Sequence, residues 1–267
     1  MADKNYFRLT SLEDGNEVSI VKNGTPADVT LEYSVDDGST WTSYAIGTGI
    51  SLNTNNFILF RGDNSTFSKQ GSNYYNVTST KTFNASGNIM SLLDKSCELI
   101  SLDGKNFVFH SLFRSNNNLV DTSDLSLPAQ TLDRNCYAGM FYGCSSLTSA
   151  PALPATTVFN DCYSRMFEGC TSLKTAPALP ATQIYSNSYS YMFKGCTSLT
   201  TATELLATIL AINCCYSMFE GCTSLTSAPE LHATRLYAYC YSNMFQGCTS
   251  LTVAPVLKAM TLADNCC

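Results

Sequence analysis

The sequence predicts an α+β protein, with an N-terminal β-sandwich-like domain followed by a solenoid of 26-residue units, each a short helix plus a short parallel strand. Three observations predict it. The dipeptide Met-Phe recurs at Met140, Met166, Met192, Met218 and Met244, always 26 residues apart. A glycine column (Gly143, Gly169, Gly195, Gly221, Gly247) and a leucine column (Leu147, Leu173, Leu199, Leu225, Leu251) keep the same interval. Self-similarity at a fixed period marks units that bury their apolar faces against one another. Within a unit, Cys136, Met140 and Cys144 follow at i, i+4 and i+8, with Tyr137 and Phe141 on the adjoining row, which reads as one apolar helical stripe. Before residue 100 the texture changes to short β-branched and aromatic runs separated by Gly, Asn and Asp.

Residues 1–100 supply the strands of the sandwich-like domain: YFRLTSL, EVSIVK, VTLEYSV, TWTSYAI, NFILFRG and KTFNAS. Within them SVDDGSTW, Ser34 to Trp41, resembles the Asp-box hairpin of sialidases, in which Asp36 and Gly38 fix a turn and Trp41 packs beneath it. Such a hairpin is a fold feature. Arg61-Gly62-Asp63 spells an integrin tripeptide and reads as a turn with charged ends, and Asn64, Asn76 and Asn84 stand in glycosylation sequons that mark exposed loops at best. Asn88 to Phe107 is apolar enough to pack the sandwich onto the first unit of the solenoid.

Residues 101–134 form that first unit, a degenerate one in which Leu112-Phe113 takes the place of Met-Phe. It reads as the N-terminal cap that closes an open solenoid face. Residues 135–267 hold five full repeats and the start of a sixth. In each, a column of Asn135, Asp161, Asn187, Asn213 and Asn265, broken by Tyr239, offers side-chain oxygens to the first amides of a helix. The glycine column eight residues later marks a left-handed helix exit. Leu147, Ala150, Leu153 and Val158 then line a short strand whose prolines, Pro151 and Pro154, forbid further helix and limit the ladder to few bonds per rung.

Two columns contain ten of the 13 cysteines, Cys136, Cys162, Cys214, Cys240 and Cys266 in one and Cys144, Cys170, Cys196, Cys222 and Cys248 in the other. Cys215 and Cys267 substitute for column tyrosines, and Cys97 lies outside the pattern. Ser188 and Asn116 each take a cysteine's place, and neither can form a disulfide, although both can hydrogen-bond to backbone at a buried turn. Buried free thiols are therefore expected over disulfides between rungs. They are expected over zinc as well, because Cys-x7-Cys lacks the close pairing of a zinc knuckle.

MFEGCTSLTSAPELHAT and its copies resemble the BspA-like, or Treponema-type, leucine-rich repeats, whose units carry a Phe-x-x-Cys-x-x-Leu core, here Phe219, Cys222 and Leu225 or Phe141, Cys144 and Leu147. The longer form with APALPAT is similar to repeat proteins of gut Bacteroidetes and their phages. The resemblance implies a leucine-rich-repeat solenoid and a surface protein used in adhesion or recognition, placed on the cell surface or outside the cell, or else in a virion.

A formal charge of −6 with 13% charged residues leaves no basic face for nucleic acid, and no segment resembles a membrane span. MADKNYFRLTSLEDGNE lacks the apolar core of a signal peptide. No nucleophile with a base, metal cluster or phosphate cradle is visible, so no enzymatic activity, cofactor or metal is expected. The expected function is a recognition or adhesion module binding a protein or glycan through the repeat surface, with a phage tail-fibre or receptor-binding component as the alternative and an enzyme ranking last. Columns that vary between copies set the candidate ligand-binding residues: Arg165, Tyr185, Tyr191, Arg235 and Tyr237. Self-association is expected through the apolar face of the last repeat, which no capping unit covers.

Overall fold

The structure, a computed structural model, describes residues 5–267. Its first part contains eight strands: β1 (Phe7–Ser11), β2 (Asn16–Asn23), β3 (Leu31–Ser34), β4 (Thr42–Tyr44), β5 (Ile50–Leu52), β6 (Phe57–Arg61), β7 (Tyr74–Ser79) and β8 (Phe83–Asn88). Alternating burial along β1 and β8 is the signature of strands with one face on a core. A 3₁₀ turn, Ile89–Leu92, comes next, with the Asn88 side chain accepting from the Met90 amide. Then come β9 (Ser101–Leu102), β10 (Leu119–Asp121) and β11 (Leu125–Ser126). One sheet runs β10-β8-β1-β6-β3-β4, with β11 also on β8, and a second runs β5-β2-β7.

The repeats continue as β12 (Thr131–Leu132), β13 (Thr157–Val158), β14 (Gln183–Ile184) and β15 (Ile209–Leu210), one two-residue strand per rung, in a parallel ladder β15-β14-β13-β12-β9. Thr157 faces Gln183 and Gln183 faces Ile209, so each rung is shifted by one repeat. Single bridges at Ile209↔Arg235 and Arg235↔Thr261 carry this line on, and Leu179↔Leu205↔Leu231↔Leu257 makes a parallel line beside it. The chain is therefore a coil of rungs, and β8, β9, β10 and β11 join its first turn to the N-terminal sheets.

The helix expected in each unit does not exist, and the fold is not α+β: no α-helix occurs among the described residues. Asn135 to Cys144 is instead a ribbon of successive turns. The amides of Tyr137, Gly139, Phe141 and Gly143 donate to the carbonyls of Cys162, Ser164, Met166 and Glu168 on the next rung at 3.1, 2.8, 2.9 and 2.7 Å. The amides between them, at Ala138, Met140, Tyr142 and Cys144, donate three residues back. The backbone enters the left-handed region every fourth residue, with φ of 59° at Asn135, 57° at Gly139 and 71° at Gly143, and later rungs repeat this. A right-handed helix cannot contain such residues at this spacing, because each one reverses the turn of the chain. The Asn/Asp column thus serves left-handed backbone and not a helix cap: Asp161, Asn187 and Asn213 have φ of 62°, 58° and 55°. The glycine column is left-handed as expected, but it closes a turn and not a helix.

This turn wall faces the strand wall across one core. Phe113, Phe141, Phe167, Phe193, Phe219 and Phe245 stack with centroids 5.3 to 5.8 Å apart and planes within 9°. Beside them Phe109, Tyr137, Tyr163 and Tyr189 form a second stack at about 6 Å. The N-terminal sheets close the near end by imitating a rung. The Val77 amide donates to the Leu112 carbonyl at 2.7 Å, the Asn76 amide nitrogen reaches the carbonyls of Ser111 and Arg114, and the Asn116 and Asn118 side chains return donors to Val77 and Ser79. No helix among the described residues is long and apolar enough to cross a membrane.

Candidate functional site

None of the cysteines is in a disulfide, and most members of the two columns share one hydrogen-bonding role. The thiols of Cys144, Cys170, Cys196, Cys222 and Cys248 donate to the carbonyls of Phe113, Phe141, Phe167, Phe193 and Phe219 on the preceding rung at 3.0 to 3.1 Å. In the other column Cys136, Cys162 and Cys240 donate to Lys105, Asp133 and Ala211. Ser188 and Asn116 do the same with a hydroxyl and an amide, which explains their presence. Burial pushes the thiols of Cys144, Cys162 and Cys222 up to about 12, so at neutral pH none is a nucleophile. Among the described residues no group of three His, Cys, Asp or Glu side chains is placed to hold a metal.

The motifs of the first part are closed on themselves. Asp36 accepts from the Ser34 hydroxyl and from the amide and hydroxyl of Thr40, which holds its carboxyl down at about 2, while the Trp41 indole donates to the Gly38 carbonyl. The tripeptide has no free ends: Arg61 pairs with Glu32 at 2.7 Å and stacks on Trp41, and Asp63 faces Lys95 at 3.6 Å. None of the three sequon asparagines marks an open loop: Asn76 is buried, Asn84 lies within β8 opposite Thr10, and Asn64 donates to the Leu92 carbonyl. His110, in the capping turn, is held uncharged by burial and then by Arg114, with a pKa of about 4.

The five candidate ligand-binding residues divide between the two walls. Arg165 and Tyr191 stand on the turn wall, each at φ 58°, and satisfy one another. The Arg165 guanidinium lies 4.1 Å from the Tyr191 ring and 2.7 Å from the Glu168 carboxylate. Tyr191 meets Tyr216 edge-on at 5.2 Å, and Lys194 bridges to Glu220 at 2.9 Å. Burial is the first cause of the raised Tyr191 pKa, and the Glu220 bond is the first cause of the raised Lys194 pKa.

Tyr185, Arg235 and Tyr237 stand on the strand wall, where Tyr185 and Tyr237 line a groove of about 700 Å³. Val158, Ile184, Leu210 and Leu236 point inward, so the alternate positions face water along each rung. The groove's apolar lining comes from unit-specific departures: Ile209 and Ile212 are 61% and 48% exposed, and Ala211 lies between them. Ile212 occupies a column otherwise filled by Arg134, Asn160, Ser186, Ala238 and Asp264, and Ala211 one that holds Asp133, Phe159, Tyr185, Tyr237 and Ala263. These three residues were not among the five candidates, although Ile209 and Ala211 stand in columns that vary between copies. The Arg235 guanidinium lies 4.9 Å from the Tyr237 ring and braces it. Beyond the groove, the last rung exposes Val253, Val256 and Met260. No protein-family model matches the chain, and no curated protein or solved structure matches it either.

Proposed function

We propose that the chain is a non-enzymatic recognition module that binds a protein or glycan ligand on a cell surface through the strand wall of its coil. The observation that carries this reading is the groove bounded by Tyr185 and Tyr237. It exposes contiguous apolar and aromatic surface on a coil whose opposite wall satisfies its own charges and amides. Aromatic side chains with little rotamer freedom are economical anchors for a partner. The resemblance to BspA-like repeats supports the same reading.

Probing protein and glycan arrays with the purified chain, beside a Tyr185→Ser/Tyr237→Ser variant, tests it. The expected result is a discrete set of bound ligands that the double variant loses by tenfold or more, with unchanged thermal unfolding. Ligands held equally by both proteins would move recognition off the strand wall, and an empty array would remove the reading.

A further inference from the structure

The outward column beside the strands runs Asp133, Phe159, Tyr185, Ala211, Tyr237 and Ala263, so its run of rings is interrupted at Ala211. Phe159 and Tyr185 are stacked there with centroids 4.7 Å apart and planes 17° from parallel. The next position is Ala211, and the one after it is Tyr237. Tyr185 and Tyr237 therefore stand two rungs apart, roughly 9.6 Å at the usual strand spacing. A flat ring placed midway would lie roughly 4.8 Å from each tyrosine at that spacing, as offset-stacked rings do. Phe159 and Tyr185 already keep that separation inside the molecule. The gap left by the missing side chain is one ring thick.

Its surroundings select the kind of ring. Tyr185 and Tyr237 bound the gap along the column, and Ala211, Ile209 and Ile212 line it between them. No charged side chain lines the groove. Thr182, Gln183, Ser186 and Thr208 supply polar atoms elsewhere along the groove, but a pyranose carries hydroxyls around its whole rim and must strip water from those that meet the two isoleucines, whereas an aromatic ring has none to strip. We propose that the slot at Ala211 receives one aromatic side chain of a protein ligand, which completes the interrupted ring column. This deepens the proposed recognition function and rests on it.

The test uses the full chain with isoleucine methyl groups labelled for NMR, and p-cresol and methyl β-D-glucopyranoside as probes. In the unsubstituted chain p-cresol is expected to shift the Ile209 and Ile212 methyl resonances saturably in the millimolar range, and the glucoside to leave them in place. Ala211→Tyr, which installs the residue the column holds at Tyr185 and Tyr237, should weaken p-cresol binding by tenfold or more. Tyr237→Ala removes one wall instead, and should weaken it several-fold even if the filled variant folds poorly. Absence of a saturable shift, equal binding by Ala211→Tyr, or tighter binding of the glucoside would overturn the proposal. Array hits that survive Ala211→Tyr would overturn the slot as the docking point while leaving recognition by the coil intact. A slot that binds p-cresol on a chain with an empty protein array would retain the ring preference and overturn the recognition reading.

Discussion

The two walls of the coil are built from the same 26-residue repeat and solve opposite problems. The turn wall spends five amides per rung on the next rung, stacks its rings in register and seals its thiols under carbonyls of the rung before. The strand wall makes two-residue strands and single bridges, interrupted by prolines, and leaves alternate side chains in water. Copies agree at the inward positions of the turn wall and diverge on the outward face of the strand wall. A residue that stacks on its own copy cannot change alone, and a residue that faces water can.

Substitutions can break this contrast. Phe193→Ala removes a ring from the middle of the stack and should cost about 3–5 kcal/mol in urea unfolding. Tyr237→Ser on the strand wall should cost well under that, within about 1 kcal/mol. Equal losses would abolish the distinction.

Alkaline pH should act on the turn wall as a whole. The thiol pKa values are raised in the folded chain, to about 12 at Cys144, Cys162 and Cys222, so the unfolded chain loses protons first as pH rises. Their contribution is fully present below the unfolded thiol pKa and is lost between about pH 9 and 12. The urea midpoint should rise from about pH 5 to 7, where the unfolded chain holds a proton that buried His110 lacks, stay flat to about pH 8 and fall above it, and serine at two of these positions should make the fall shallower.

The thiol column also sharpens the comparison. Cys196→Ala deletes the donor to the Phe167 carbonyl and leaves a small void, and should cost about 1–2 kcal/mol. Cys196→Ser keeps a donor and should cost less, as Ser188 already does natively in the neighbouring column. If alanine and serine cost the same, sulfur serves volume alone. Smallest is a gain: Tyr239 holds φ 59° where the other rungs use Asn or Asp, and Tyr239→Asn should stabilise by about 1 kcal/mol in thermal unfolding.

The period, the inward columns and the free, buried thiols were all legible in the sequence, because identical rungs force identical side chains into register. The local conformation was misread for a definable reason. An α-helix and a ribbon of four-residue turns both put Cys136, Met140 and Cys144 on one face, and ten residues are too few to separate a period of 4.0 from one of 3.6. The signal that separates them is Asn135, Gly139 and Gly143, three residues tolerant of left-handed backbone at the same spacing. Gly139 signals it in one unit alone, and its successors Arg165 and Tyr191 hide the pattern because they accept the strain. For the groove, Tyr185 and Tyr237 were visible as aromatics, whereas Ala211 matters for what it lacks, which only its column reveals.

The forward-pointing amides of the turn wall give the coil a mechanical character. Tension applied between its two ends would load the bonds joining one rung to the next, at Phe193 to Met218 and Gly195 to Glu220 for example, and open them in turn from a free end. Each peeled rung of 26 residues would release roughly 85–95 Å of slack. A tether made this way yields in steps and absorbs a pull while the remaining rungs keep their shape.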